Sequence, residues 1–158
     1  MNLAHLLART ARVFPEQPAL ALGTRVLGTY GAWAACAATI AGNLRRHYQL
    51  PEGARVALFM SNRPQYLELL YGIWHAGLVA VPINHKLHAR EVAFILADSD
   101  AALLVVDHDD GQDAALWTGS APGLRIMAVD SAAYRELGAG PSIAIVARAA
   151  NDLAWLFY

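Results

Sequence analysis

The stretch that decides the fold runs from residue 55 to residue 106 and reads RVALFMSNRPQYLELLYGIWHAGLVAVPINHKLHAREVAFILADSDAALLVV. It contains three uninterrupted apolar runs of strand length, at 55–60, 78–83 and 102–106. Two segments with apolar residues at helical spacing separate these runs. Continuous apolar strands that alternate with helices are typical of a parallel sheet buried on both faces. The stretch therefore predicts an α/β fold, with a doubly wound, mostly parallel sheet and helices on both faces.

Further elements on either side extend this pattern. Residues 3–14 fit one face of a short docked helix, and Thr29 is a capping residue in front of a long alanine-rich helix. Downstream, 125–129 predicts a fourth strand and 131–137 a short helix. The last run, LAWLFY at 153–158, predicts a final strand. Because chain ends are usually polar, this apolar ending leads us to expect that the chain is cut at Tyr158.

Two loops leave predicted strand ends, SNRP at 61–64 and NHKLHAR at 84–90. In open α/β sheets, ligands bind beyond the carboxyl ends of the strands, so these loops are the places to look for a site. The first loop also begins a helix, for which Ser61 or Asn62 is the expected cap and Gly77 the expected stop.

Composition excludes several classes of protein. With 158 residues, 56% hydrophobic and 16% charged, the chain can bury a core and is not disordered. A formal net charge of −1 provides no basic footprint, so no nucleic-acid partner is expected. The most apolar window, 69–83, is broken by His75, Gly77 and Pro82, so no membrane span is predicted. The N-terminus is a poor signal peptide; a transit peptide is the weaker alternative to a cytoplasmic protein.

The sequence predicts no metal site and no catalytic residue. A lone Cys36 excludes a disulfide framework and a cysteine zinc cluster, and we expect it to be a buried, inert thiol. The acidic run at 107–113 lacks the glycine and glutamate positions of an EF-hand calcium loop. His85 and His88 lack a third ligand for zinc. Neither the dinucleotide-binding glycine pattern nor the P-loop pattern occurs in the sequence.

Lys86 is the only lysine in the chain, and every other cationic side chain is an arginine. It lies in the loop that follows the strand at 78–83, where an anion could dock against the sheet. The competing interpretation is a solvated surface lysine without a ligand.

Three segments together resemble the adenylate-forming superfamily, which comprises acyl-CoA synthetases, luciferases and the adenylation domains of peptide synthetases. LGTYGAW at 27–33 is similar to the family's L-[ST]-Y-x-E-L, with Ala32 and Trp33 in place of Glu and Leu. Residues 54–107 are similar to its K-A-G-x-x-x-x-P-[LI]-[ND] region and the N-P-R-L-like loop that follows. NDLAWLFY at 151–158 is similar to the D-L-A-x-L-x-Y that precedes the family's Ser/Thr/Gly-rich phosphate loop.

The resemblance implies that residues 1–158 are the N-terminal part of the large domain of such a ligase, without the rest of that domain and without the C-terminal lid. The implied parent enzyme joins a small-molecule carboxylic acid to coenzyme A (CoA), using ATP and Mg²⁺. It first forms an acyl-adenylate and then a thioester. The catalytic residues would lie beyond Tyr158, so we expect this chain alone to be inactive and to bind no cofactor tightly. The resemblance leaves a homodimer open.

One site residue carries over from the resemblance. In some acyl-CoA ligases the basic residue of N-P-R-L faces the phosphates of the CoA nucleotide, and Lys86 occupies that position, with His85 in place of the proline. Asn84 favours an acyl-CoA synthetase over a peptide-synthetase domain, in which aspartate is commoner there. Two alternatives stay open: an adenylation domain that loads a carrier protein, and a truncated, non-catalytic scaffold or interaction module.

Overall fold

A computed structural model describes residues 1–108 and 113–158. Their secondary structure, in chain order, is α1 (Ala4–Val13), β1 (Pro18–Leu22), β2 (Arg25–Thr29), α2 (Tyr30–Arg46), β3 (Arg55–Phe59), α3 (Pro64–His75), β4 (Val79–Ile83), α4 (Ala89–Asp98), β5 (Ala101–Val106), α5 (Ala114–Ser120), β6 (Arg125–Ala128) and α6 (Ala132–Leu137). No helix in the described part of the chain is long and apolar enough to cross a membrane.

In the described part of the chain, the main sheet has four strands in the order β4-β3-β5-β6, and every pair in it is parallel. Its side chains point alternately to two helical layers. Val56 and Leu58 of β3 face a core that includes residues of α2 and α3, whereas Ala57 faces a second core that includes residues of α4 and α5. Because both faces are buried, the strands are apolar at consecutive positions. The predicted fold class is confirmed.

The two central crossovers share one handedness. The chain passes from β3 to β4 over the face that carries α3, and then returns past β3 to β5 over the opposite face, which carries α4. The second crossover runs in the opposite direction across the sheet and over the opposite face. It therefore has the same hand as the first, as expected in a doubly wound sheet. The loops that leave β3 and β4 therefore diverge to opposite faces at the carboxyl edge of the sheet, which is where ligands bind in such folds.

The predicted helix caps and stops are confirmed only in part. Thr29 caps α2, with its hydroxyl accepting a hydrogen bond from the amide of Ala32 at 3.3 Å. Gly77, with φ of +71°, follows the last residues of α3, as predicted. The predicted cap of α3 is wrong: the helix begins after Arg63 with Pro64 in its first turn. The amide of Ser61 instead donates to the carboxylate of Asp107. This hydrogen bond holds Ser61 outside the helix.

Two further features differ from the sequence prediction. An antiparallel hairpin formed by β1 and β2 lies before α2, and the sequence analysis missed it. Its local signals are the apolar run at 18–22 and the turn at Gly23 and Thr24, in which Gly23 has φ of +59°. Residues 153–158 form no strand in the sense predicted; a single parallel bridge joins Trp155 to Ala80 of β4. A strand ladder needs several successive paired residues, and this segment has only one paired residue, Trp155.

Helices α2 and α3 approach closely at Gly72. A Cβ atom at this position would lie 2.5 Å from Cγ2 of Ile40 and 2.9 Å from its Cβ. Both residues are completely or nearly completely buried. A glycine in the middle of a helix normally costs stability, so its presence here is explained by the space that the neighbouring helix occupies.

Candidate functional site

Loops from all four strands of the main sheet lie along its carboxyl edge. Ser61 and Arg63 follow β3, residues 84–88 follow β4, Asp107 and His108 follow β5, and Asp130 follows β6. Because β3 pairs with both β4 and β5, the loop with Ser61 lies between the other two. The structure thus brings the two predicted loops to one edge, and adds the acidic residues after β5 and β6.

Asp107 joins the loop after β5 to the loop after β3. Its carboxylate accepts a hydrogen bond from the amide of Ser61 at 2.8 Å and one from Nη1 of Arg63 at 3.3 Å. Partial burial alone would raise the pKa of Asp107, but the hydrogen bonds from Ser61 and Arg63 and the charge of the guanidinium outweigh it, so the pKa is lowered. Asp107 is therefore ionised at neutral pH and neutralises Arg63.

A second polar pair joins the loop after β5 to the loop after β6. Nδ1 of His108 lies 2.6 Å from a carboxylate oxygen of Asp130, and both side chains are largely exposed. The hydrogen bond to His108 is the main cause of the lowered pKa of Asp130. The carboxylate of Asp130 thus has a local partner and does not stand ready as a free base.

The loop that carries Lys86 is ordered by its own polar groups. The side-chain oxygen of Asn84 accepts a hydrogen bond from the amide of Lys86 at 3.1 Å, and its backbone carbonyl accepts one from the amide of Leu87. At the end of the loop, the amide of His88 donates to Glu91 at 2.9 Å, and His88 is the last residue before α4. The loop conformation is therefore set without the Lys86 side chain.

Lys86 and Arg63 differ in whether their charges take part in an ion pair. Its side chain is exposed, and none of the salt bridges among residues 1–108 and 113–158 includes it. Arg63, in contrast, is paired with Asp107. An ammonium group that is solvated and held on an ordered loop can bind an anion, such as a phosphate, without first breaking an ion pair.

A cavity of about 210 Å³ opens beside this loop at the same edge. Phe59 and Trp117 form an edge-to-face contact in its wall, with ring centroids 5.8 Å apart. The remaining lining residues are His85, Val106, Asp107, His108 and Asp113. Lys86 does not line the cavity, but its neighbour His85 does.

The metal-binding alternatives gain no support from the structure. Within the described ranges, no group of three or more histidine, cysteine, aspartate or glutamate side chains is placed to hold a metal ion. His85 lies in the loop and His88 caps α4, so the two histidines do not share a helical turn. Most of the acidic run considered as a calcium loop, residues 109–112, lies outside the described residues.

Sequence reasoning missed Arg63, Asp107 and Asp130 as parts of the site. Asp107 and Asp130 each come within two residues of the end of an apolar strand, and that position is the signal by which they could have been found. Their partners could not have been assigned from the sequence, since Asp107 and Arg63 lie 44 positions apart.

Comparisons with known proteins agree on one family. The family model described as "AMP-binding enzyme" matches residues 7–158. A feruloyl-CoA synthase from Amycolatopsis is 39% identical over 97 residues, which are 61% of this chain and 19% of that protein. The long-chain-fatty-acid–CoA ligase FadD13 from Mycobacterium tuberculosis is 38% identical over 105 residues, which are 66% of this chain and 21% of that protein.

The structural comparison covers more of the chain. The solved structure of a Mycobacterium tuberculosis fatty acyl CoA synthetase superposes with a TM-score of 0.81 at 27% identity, over 99% of this chain and 32% of that one. The chain thus spans about a fifth of the curated relatives and about a third of this structure.

Proposed function

This chain belongs to the AMP-binding enzyme family, and from that premise we propose that it is the N-terminal part of an ATP-dependent ligase that joins a carboxylic acid to coenzyme A. The observation that carries the proposal is the match of residues 7–158 to the family, together with relatives named as CoA ligases. The proposal extends to a longer polypeptide, because the match spans only a part of those relatives.

The proposed reaction has two steps. A carboxylate oxygen of the acid attacks the α-phosphorus of ATP, the bond to the β-phosphate oxygen breaks, and pyrophosphate leaves. The thiol of CoA then attacks the carbonyl carbon of the acyl-adenylate, loses its proton, and displaces AMP. Mg²⁺, when bound to the triphosphate, neutralises part of its negative charge. We assign no residue of this chain to the Mg²⁺ site or to either bond-making step.

We propose that Lys86 contacts the phosphates of the CoA nucleotide. Three features support this role: the exposed ammonium group, the ordering of its loop by Asn84, and its position at the carboxyl edge of the sheet. A lysine acts on phosphate as a point charge and provides no bidentate geometry, so we expect it to contribute to affinity more than to orientation.

The proposal also covers the location, the partners and the oligomeric state of the enzyme. We place it in the cytoplasm, with a small-molecule acid and CoA as its partners, and with a homodimer as a further proposal. We propose that residues 1–158 alone are inactive and bind ATP only weakly, because their sequence contains no phosphate-loop pattern of a known type.

The test uses a longer polypeptide that contains this chain. Pyrophosphate release is measured over a panel of carboxylic acids, and thioester formation is followed separately with CoA. Release that depends on one class of acid, followed by an acyl-CoA product, would support the proposal. An adenylate that is transferred only to a carrier-protein thiol would favour the adenylation-domain alternative. No release with any acid, or tight ATP binding by residues 1–158 alone in calorimetry, would contradict the corresponding part of the proposal.

A further inference from the structure

The N-terminal elements carry a charge of opposite sign to that of the rest of the chain. Residues 1–50 contain five arginines and a single acidic residue, Glu16. Residues 51–158 contain seven cationic and twelve acidic side chains. A basic segment in a chain that is otherwise acidic indicates that the segment meets a negatively charged partner.

Helix α1 presents part of this charge to solvent. Its buried residues, Ala4 and Leu7, lie on the side that packs against α2 and α3. His5, Arg9 and Arg12 are three or four positions apart, so they share a different side of the helix, and all three are exposed. None of the salt bridges among the described residues includes either of these two arginines. Both guanidinium groups can therefore meet an anion without first losing a protein partner.

Apolar side chains border these cations. Leu6 and Val13 are seven positions apart and lie next to the basic side chains on the helix surface, and Phe14 directly follows α1. The exposed fractions are 41% for Leu6, 60% for Val13 and 53% for Phe14. The outer face of α1 is defined here as the exposed residues His5, Leu6, Arg9, Arg12, Val13 and Phe14.

The hairpin of β1 and β2 exposes the same combination of side chains. It also packs against α2 and α3, so it belongs to the same part of the molecule as α1. Arg25 follows the turn and is exposed, and the neighbouring Leu22 and Val26 are 64% and 52% exposed. Arginine and apolar side chains are therefore exposed together on two elements that share one helical layer as their support.

We propose that the outer face of α1, together with the hairpin, docks on the surface of a membrane that contains anionic lipids. The arginines bind the phosphates of the lipid headgroups, and Val13 and Phe14 enter the boundary between the headgroups and the acyl chains. The protein lies on the bilayer and does not cross it. This inference goes beyond the proposed ligase function and does not depend on it.

Other partners fit the outer face of α1 less well. A nucleic acid would pair its phosphates with the arginines but would leave Val13 and Phe14 exposed to water, because the backbone that it presents is charged. A second copy of the chain would bring the arginines of two outer faces together, and like charges repel each other. A bilayer with anionic lipids satisfies both kinds of side chain, since its phosphates lie directly above its acyl chains.

Vesicle sedimentation tests the proposal with a longer polypeptide that contains this chain, because residues outside the chain could cover the outer face. One set of vesicles is phosphatidylcholine alone, and in the other about a third of the lipid is phosphatidylserine. At about 0.1 M salt, we expect the partition coefficient to be at least about tenfold higher for the anionic vesicles, and to fall as the salt is raised. Equal partitioning into the two kinds of vesicle, whether weak or strong, would overturn the proposal.

Two double variants separate the outer face from the net charge of the protein. Arg9→Gln with Arg12→Gln should lower the partition coefficient into anionic vesicles at least about tenfold, since each arginine near the surface contributes roughly fivefold. Arg90→Gln with Arg135→Gln removes two exposed arginines from α4 and α6, and should change that coefficient little. Equal losses in the two double variants would show that only net charge matters, and would overturn the proposal.

The apolar contribution has its own variant and its own control. Phe14→Ser is expected to lower the partition coefficient severalfold at fixed charge, because a side chain that enters the lipid is lost. The unfolding midpoint of each variant, measured without vesicles, shows whether a loss of binding comes from a loss of the fold. A folded Phe14→Ser variant that partitions like wild type would contradict the insertion of this side chain.

These readouts do not depend on activity, so the membrane proposal and the ligase proposal can fail separately. Selective binding to anionic vesicles by a protein that makes no acyl-CoA would support the docking and refute the ligase function. An active ligase that does not distinguish the two kinds of vesicle would do the reverse.

Discussion

Nη1 of Arg63 lies 3.3 Å from Oδ1 of Asp107, and this ion pair joins the loops that leave β3 and β5 at the carboxyl edge of the sheet. The other carboxylate oxygen accepts the amide of Ser61. Asp107 thus fixes the start of α3 relative to β5, and it also removes Arg63 from the set of cations free to meet a ligand. Lys86 in the neighbouring loop keeps its charge available for that purpose.

Asp107→Asn is expected to destabilise the fold by about 1 kcal/mol at pH 7, since it removes a charge-assisted contact that is partly open to solvent. The pKa of Asp107 is lowered in the folded state. Its contribution is therefore complete above the ordinary aspartate pKa of about 3.9, and is lost as the pH falls through the lower folded value. Urea unfolding at a series of pH values measures this difference, which should vanish in strong acid.

Glu16→Gln is the matched control for Asp107→Asn, since Glu16 is exposed and takes part in none of the salt bridges or side-chain hydrogen bonds of the described residues. It should leave the free energy of unfolding nearly unchanged. A difference between wild type and Asp107→Asn that persists at the lowest pH would show that the carboxylate charge is not the cause.

Gly72→Ala is expected to destabilise the fold by about 1–3 kcal/mol, because the new methyl group would overlap Ile40 where α2 and α3 cross. Gly119→Ala is the control: this glycine also lies in a helix, but a Cβ there meets nothing within 4 Å. That variant should gain up to about 1 kcal/mol from helix propensity. Urea midpoints of the two variants measure the contrast, and equal midpoints would refute the proposed steric cause.

Cys36 is expected to react slowly with thiol reagents. The residue is half-buried, and burial, followed by the charge of Glu68, raises the pKa of its thiol to about 11. At pH 8 the thiolate fraction is then roughly a hundredfold or more below that of an ordinary cysteine. Alkylation with iodoacetamide should speed up steadily as the pH rises towards that pKa, and unfolding in urea should restore an ordinary rate. Equal rates in the folded and unfolded protein at pH 8 would contradict this expectation.

Lys86→Ala, in a longer polypeptide with ligase activity, is expected to raise the KM for CoA about tenfold, which corresponds to the loss of one charge-assisted contact. Pyrophosphate release should be spared, because the adenylation step does not involve CoA. Lys86→Arg should keep most of the affinity. Arg9→Ala, which removes an exposed cation on α1, is the control. A KM for CoA that is unchanged in Lys86→Ala would remove Lys86 from the proposed site.

The hairpin and the final segment show where local sequence rules stop. Residues 18–22 are apolar, yet Leu20 is the one residue of β1 that is buried within the fold. Residues 153–158 carry a strong strand pattern, yet a single bridge to Ala80 is all that forms, because ladder length depends on which strand lies alongside. Neither outcome is encoded within a short window of sequence.

The sequence by itself determined the parallel sheet, its two covered faces and the loop that carries Lys86. Continuous apolar strands separated by periodic helices are stable in few other arrangements, and the position of a loop after a strand places it at the carboxyl edge. Only the tertiary structure decided the strand order, the pairing of Arg63 with Asp107 and the single bridge between Trp155 and Ala80. These depend on which distant segments become neighbours, and that is settled by the packing of the whole sheet and its helices.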